Sequence, residues 1–113
     1  MKKKLDENFL EKIPVRNEIY RWNTENDVVT IEKDNTGLFN RIAQKLLKKP
    51  KVTYIHLDEM GSFIWPVLDG DKNLIEIGKL VEERFGEKAN PLYERLAQYC
   101  MILESYGFIK WAD

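Results

Sequence analysis

Val52-Thr53-Tyr54-Ile55-His56-Leu57-Asp58-Glu59-Met60-Gly61-Ser62-Phe63-Ile64-Trp65-Pro66-Val67-Leu68-Asp69-Gly70 contains the change of period that decides the fold. Its first six residues are rich in β-branched and aromatic side chains and follow Pro50, so they read as a strand. From Asp58 the apolar spacing changes. Met60, Phe63, Ile64, Val67 and Leu68 recur at intervals suited to one face of a helix, and Asp58 stands where its N-cap belongs. Pro66 has no amide proton, so the helix is predicted to break or kink there, and Asp69-Gly70 closes it.

Downstream the helical pattern continues. Asn73 and Glu76 have capping-box spacing ahead of Leu74, Ile77, Leu80, Val81 and Phe85, with Gly86 as the stop, which predicts a helix over 73–85. Asn90 reads as the cap of a further helix over 91–106, with Pro91 at its first position. Leu92, Leu96, Tyr99, Cys100 and Leu103 line its inner face, and Gly107 ends it. Phe108, Ile109 and Trp111 form an apolar tail expected to pack back on the core.

Upstream, residues 28–33 read as a strand, and Ile19, Tyr20 and Trp22 predict another over 16–22. The polar stretch from Asn23 to Asp27 makes the two a hairpin. Leu38, Phe39, Ile42, Ala43, Leu46 and Leu47 predict a helix over 38–48, inserted before the 52–57 strand. Residues 1–14 are polar and end at Pro14; Leu5, Phe9 and Ile13, four apart, suit either a short docked helix or a frayed arm. The reading is an arm over 1–15 and one domain over 16–113. Its class is α+β: a three-stranded antiparallel sheet followed by three helices, winged-helix-like with the sheet placed first.

Composition limits the function. The chain has 113 residues, 43% hydrophobic and 33% charged, the profile of one folded domain. Its 18 basic and 19 acidic residues leave a net charge of −1, without the basic excess that phosphate neutralisation demands. Residues 74–104 carry Lys79, Arg84, Lys88 and Arg95 against Glu76, Glu82, Glu83, Glu87, Glu94 and Glu104. The alternative is a winged-helix DNA-binding role, against which the charge argues, or another regulatory or structural subunit. Lys2, Lys3 and Lys4 are followed by Asp6 and Glu7, not by the apolar run of a signal peptide, and no stretch is apolar enough to span a membrane. A cytoplasmic location is expected.

No catalytic constellation emerges. His56 is the only histidine, Cys100 the only cysteine, and neither has a partner at metal-ligand spacing. Ser62 and Ser105 lack an evident base, and no glycine-rich phosphate loop occurs. An enzymatic role and a bound cofactor are not expected.

The stretch 57–70, the continuation Leu74-Ile75-Glu76-Ile77 and the ending Leu103-Glu104-Ser105-Tyr106-Gly107-Phe108-Ile109 together resemble the PqqD family, the small proteins of coenzyme PQQ synthesis and their relatives. The resemblance runs from Arg16 to Trp111 and is most specific at Ile64-Trp65 and Asp69-Gly70. The apparent helix within 37–50 departs from the family pattern. The resemblance implies a non-catalytic adaptor. It would bind the leader of a ribosomally made precursor peptide as an extra strand on the third strand, beside the third helix, and present it to a radical-SAM enzyme. It places the peptide along Val52, Tyr54, Ile55 and His56, with Arg95, Gln98, Tyr99 and Ile102 lining the groove. Leaders in this family are often acidic, which makes Arg95 the charge anchor and Tyr54 the apolar one.

Strand physics is compatible with that use. An edge strand offers unpaired N–H and C=O groups, which either receive a peptide or are covered, here by the inserted helix. Leu57 leads into the helix cap and should face the core with Ile55 and Thr53, turning Tyr54 and His56 the other way. About five backbone hydrogen bonds at roughly 0.5–1.5 kcal/mol each only offset the ordering of the peptide. Affinity must come from buried apolar peptide side chains, at about 1.5–3 kcal/mol apiece.

Overall fold

The computed structural model describes residues 7–34 and 51–112; the helix predicted over 38–48 lies outside them. In chain order the described elements are α1 (Glu7–Leu10), β1 (Ile13–Arg16), β2 (Arg21–Glu25), β3 (Val28–Asp34), β4 (Val52–His56), α2 (Glu59–Ile64), a 3-10 turn (Trp65–Val67), α3 (Leu74–Phe85), a second 3-10 turn (Gly86–Ala89), α4 (Leu92–Ser105) and β5 (Ile109–Ala112). The class is α+β, with antiparallel strands and several helices. Two compact units divide the chain: residues 18–62, and the residues up to 17 together with those from 63 onward.

The 18–62 unit is built on a three-stranded antiparallel sheet in the order β2-β3-β4. Asn26 and Asp27 join β2 to β3 with φ of 52° and 64°. A two-residue hairpin of this hand needs positive φ at both positions, which Asn and Asp tolerate. The turn is therefore tighter than the sequence suggested, and β2 runs on to Glu25. Val29 and Ile31 are fully buried.

The strand predicted over 16–22 is corrected. Arg16 ends β1, residues 17–20 turn, and β2 begins at Arg21. Asn17 makes the break: its amide donates to the Phe108 carbonyl (2.8 Å) and its side-chain Nδ2 to the Gly107 carbonyl (2.9 Å). These long-range bonds fasten Asn17 to the segment that precedes β5 and not to a strand continuing towards Trp22. Ile19, whose β-branching helped suggest the strand, is 74% exposed.

In the other unit, β1 and β5 form a two-stranded antiparallel ladder pairing Ile13 with Ala112 and Arg16 with Ile109. Residues 13–15, read with the arm, thus form most of a strand. That segment is stitched down along its length. Leu74 N–H donates to Lys12 O (3.2 Å), Gly70 N–H to Pro14 O (3.2 Å) and Arg16 N–H to Leu68 O (2.9 Å). The Arg16 guanidinium donates to the carbonyls of Trp65 (3.1 Å) and Pro66 (2.8 Å), acceptors at a helix end that would otherwise need water. The apolar tail of the chain enters β5, with Phe108 and Ile109 buried.

Helix boundaries follow local chemistry. Asp58 Oδ1 accepts from Gly61 N–H (2.7 Å) ahead of α2. Pro66 converts the helix to the 3-10 turn. Asn73 and Glu76 form the predicted reciprocal box, with Glu76 N–H donating to Asn73 Oδ1 (2.9 Å) and Asn73 N–H to Glu76 Oε1 (3.2 Å). The Asp69-Gly70 turn is also explained. Gly70 has φ of +82°, and a Cβ there would lie 3.2 Å from Val15 Cγ2. The Asp71 amide, and next the Lys72 ammonium, hold the Asp69 carboxyl below its usual range. One cap is corrected: Pro91, not Asn90, occupies the cap position of α4, its backbone extended at ψ 110° and its carbonyl accepting from Arg95 N–H (3.0 Å).

The core of this unit gathers Ile64, Trp65, Leu68, Leu74, Ile77, Val81, Leu96, Ala97 and Cys100, each at most 1% exposed. Burial pushes the Cys100 thiol up to about 12 from the ordinary 9.0. Two results are expected. At pH 8 a disulfide reagent should label native Cys100 about a thousandfold more slowly than the urea-unfolded chain, because the thiolate is the reacting species. The raised value favours the folded state below pH 9.0, and that contribution declines as pH climbs from there towards about 12. Rapid native labelling would place the thiol at the surface.

Candidate functional site

β4 lies at the edge of its sheet, and among the described residues no strand pairs with its outer side. Which groups it offers follows from the ladder. Leu57 N–H donates to Val29 O at 2.9 Å, so this pair turns its backbone groups towards one another. In antiparallel pairing such residues alternate with residues whose groups point away. Counting along the register, Ile55 opposite Ile31 and Thr53 opposite Lys33 also face inward. Val52, Tyr54 and His56 therefore direct their N–H and C=O groups to the outer edge, a repeat of three residues spaced by two.

The side chains alternate the other way. Val52, Tyr54 and His56 share a face with their cross-strand partners Asp34, Glu32 and Thr30. Tyr54 is 59% exposed, and His56 Nδ1 lies 2.8 Å from Thr30 Oγ1. Ile55 is half-buried and shares the opposite face with Ile31 and Val29. This is the division expected from Leu57 for Ile55, Tyr54 and His56, while Thr53, expected to face the core, is exposed.

The inner end of this ladder holds a residue that sequence reasoning missed. Val29 N–H and Leu57 C=O should bond directly, and instead Ser62 Oγ sits between them. It accepts from Val29 N–H (2.9 Å) and donates to Leu57 C=O (3.2 Å). The hydroxyl thereby ties α2 to the β3–β4 ladder. The only sequence signal is a small hydroxyl side chain one turn into a helix that follows a strand. Ser62→Ala would leave a buried donor and an acceptor without that bridge. It should cost about 1–3 kcal/mol by chemical denaturation and speed hydrogen exchange at the Val29 amide. Unchanged exchange there would mean that the bridge does not form.

The helical candidates lie in the other unit, on α4. Arg95, Gln98, Tyr99 and Ile102 fall at i, i+3, i+4 and i+7, one continuous face. Leu92, Leu96, Ala97, Cys100 and Leu103 occupy the buried face. Arg95 and Gln98 are exposed, Tyr99 is half-buried and Ile102 is 48% exposed. The Arg95 guanidinium donates to the Lys88 carbonyl at 2.8 Å, so its charge is held at the start of the helix. Met101 and Tyr106, also large and exposed, extend the apolar character of this end of α4. The two sets of candidates belong to different units.

The candidate residues on β4 and α4 include exposed polar and aromatic side chains. Ser62 Oγ is committed to the ladder and Cys100 is buried. Among the described residues no group of three His, Cys, Asp or Glu could hold a metal ion, and no helix is long and apolar enough to cross a membrane.

A family model described as coenzyme PQQ synthesis protein D matches residues 45–109, more than half of the chain. The matched segment contains β4, α2, α3 and α4, and it omits β1, β2 and β3. No curated protein and no solved structure matches the chain.

Proposed function

The chain belongs to the PqqD family, and from that premise we propose that it is a non-catalytic, peptide-binding adaptor in peptide modification. The leader of a ribosomally made precursor peptide adds to β4 as a further strand. Arg95, Gln98, Tyr99 and Ile102 of α4 are further peptide-contacting residues in this reading, and the protein presents the peptide to a radical-SAM enzyme. The winged-helix-like arrangement read from the sequence belongs to this proposal, as does a cytoplasmic setting.

The observation that carries it is the outer edge of β4, within the matched segment, with which no strand pairs among the described residues. Val52, Tyr54 and His56 offer alternating donors and acceptors there, the groups that strand addition uses. Apolar exposure at Tyr54 and Ile102 adds area that backbone pairing alone lacks.

The test is an amide NMR titration with a synthetic leader segment of a precursor peptide of the kind this family serves. Shifts should cluster on residues 52–56 and 92–103, and the amides of Val52, Tyr54 and His56 should gain exchange protection. Shifts confined to the lysines at residues 2–4, or an equal response to duplex DNA, would overturn the proposal.

A further inference from the structure

Strand addition at β4 fixes which side chains of the added strand are read on each face. A residue paired directly with Tyr54 exchanges backbone bonds with it and puts its own side chain on the face of Tyr54, His56, Glu32 and Thr30. Directly opposed side chains on one face have Cβ atoms about 4.5–5.5 Å apart, close enough to select one another.

That face has a defined chemistry. One cross-strand row runs Arg21, Glu32, Tyr54. Tyr54 stands at the edge with its ring exposed, and Glu32 lies directly behind it. Arg21 flanks Glu32 on the far side, yet among the described residues the two form no ion pair, so the carboxylate is not consumed within the row. A side chain crossing the strand at Tyr54 from the edge therefore meets first an exposed aromatic ring and then an anion. A long cationic side chain satisfies both: its stem covers the ring, its charge interacts with the π-system and its head approaches Glu32. An acidic side chain in that position meets repulsion.

We propose that Tyr54 and Glu32 form a specificity subsite for a lysine or arginine side chain of the added strand, at the position paired with Tyr54. This rests on strand addition at β4. It assigns the outer face of the bound strand a recognition role, separate from the acidic preference assigned to Arg95. The next outward positions of the peptide differ: the one paired with Val52 has Asp34 behind an aliphatic side chain that offers no ring for a cation to cover, and the one paired with His56 meets an imidazole bonded to Thr30.

The experiment uses a positional-scanning library of acetylated, amidated nonapeptides as probe, selected on the intact protein, with the pairing register read from amide shifts at residues 52–56. Basic residues should be enriched at the position paired with Tyr54. Replacing that residue by glutamate should weaken binding at least tenfold. Glu32→Lys should invert the preference and Tyr54→Ala should flatten it, with Glu32→Gln as the milder variant should the reversal unfold the sheet. Peptides that pair with β4 but show no charge preference there, or a preference unmoved by both Glu32 variants, would overturn the subsite and leave strand addition standing. If no peptide pairs with β4, strand addition itself fails and the subsite falls with it.

Discussion

Trp65→Ala should lower stability by about 3–5 kcal/mol, the cost of deleting a large aromatic from a packed core. The ring is fully buried, although the residue sits in a short 3-10 turn where exposure is common. The turn is held from both sides. Leu68 N–H donates to the Trp65 carbonyl at 3.2 Å, and Arg16 donates to the same carbonyl at 3.1 Å. With the backbone fixed at this point, the structure has little freedom to collapse into the space the indole leaves, which places the loss at the upper part of the range. Against a typical domain stability of about 5–15 kcal/mol, that is a large fraction of the whole. The check is a urea melt followed by far-UV circular dichroism, because loss of an indole alters the fluorescence baseline. A midpoint close to wild type would show that the ring is dispensable for folding and point instead to a direct role in binding. Trp22 and Trp111 are only half-buried, and alanine at either should cost less.

The helical half of the fold was legible because its signals are local. Asp58, Pro66, Asn73 with Glu76, and Gly86 each act within one turn of chain, and each acts in the structure where the sequence put it. The errors arose where long-range contacts decide. Ile19, Tyr20 and Trp22 have strand propensity, but Asn17 is bonded to Phe108 and Gly107, some ninety residues away, and turns the chain first. The pairing of β1 with β5 joins the two ends of the chain and has no short-range signature. The same limit applies to the site. The alternation of Tyr54 against Ile55 could be read from period two, because Leu57 anchors the phase. Which of these residues turn their backbone outward depends on the pairing of Leu57 with Val29, a fact of register. The Ser62 bridge needs that register too.

That register yields the sharpest expectation for function. The Tyr54 amide points away from β3, so Tyr54→Pro removes an edge donor while leaving the β3–β4 ladder complete. Proline is tolerated on an edge strand at such a position, and the extended conformation it imposes on Thr53 is the one a strand already has. Thr53→Pro and Ile55→Pro instead remove amides that face β3, and both should disrupt the sheet. The fold should therefore respond with period two along β4: melting temperature nearly kept at residue 54 and strongly lowered at 53 and 55. Binding should respond to the proline at 54. A peptide carbonyl left without its donor costs about 1–3 kcal/mol, so Tyr54→Pro should weaken the precursor leader about tenfold beyond Tyr54→Ala, which removes the ring and keeps the amide. Calorimetric titration of both folded variants with the same leader peptide separates the two contributions. Equal affinities for Tyr54→Pro and Tyr54→Ala would mean that the peptide does not use the backbone of this edge, and strand addition at β4 would have to be abandoned even if a peptide still binds.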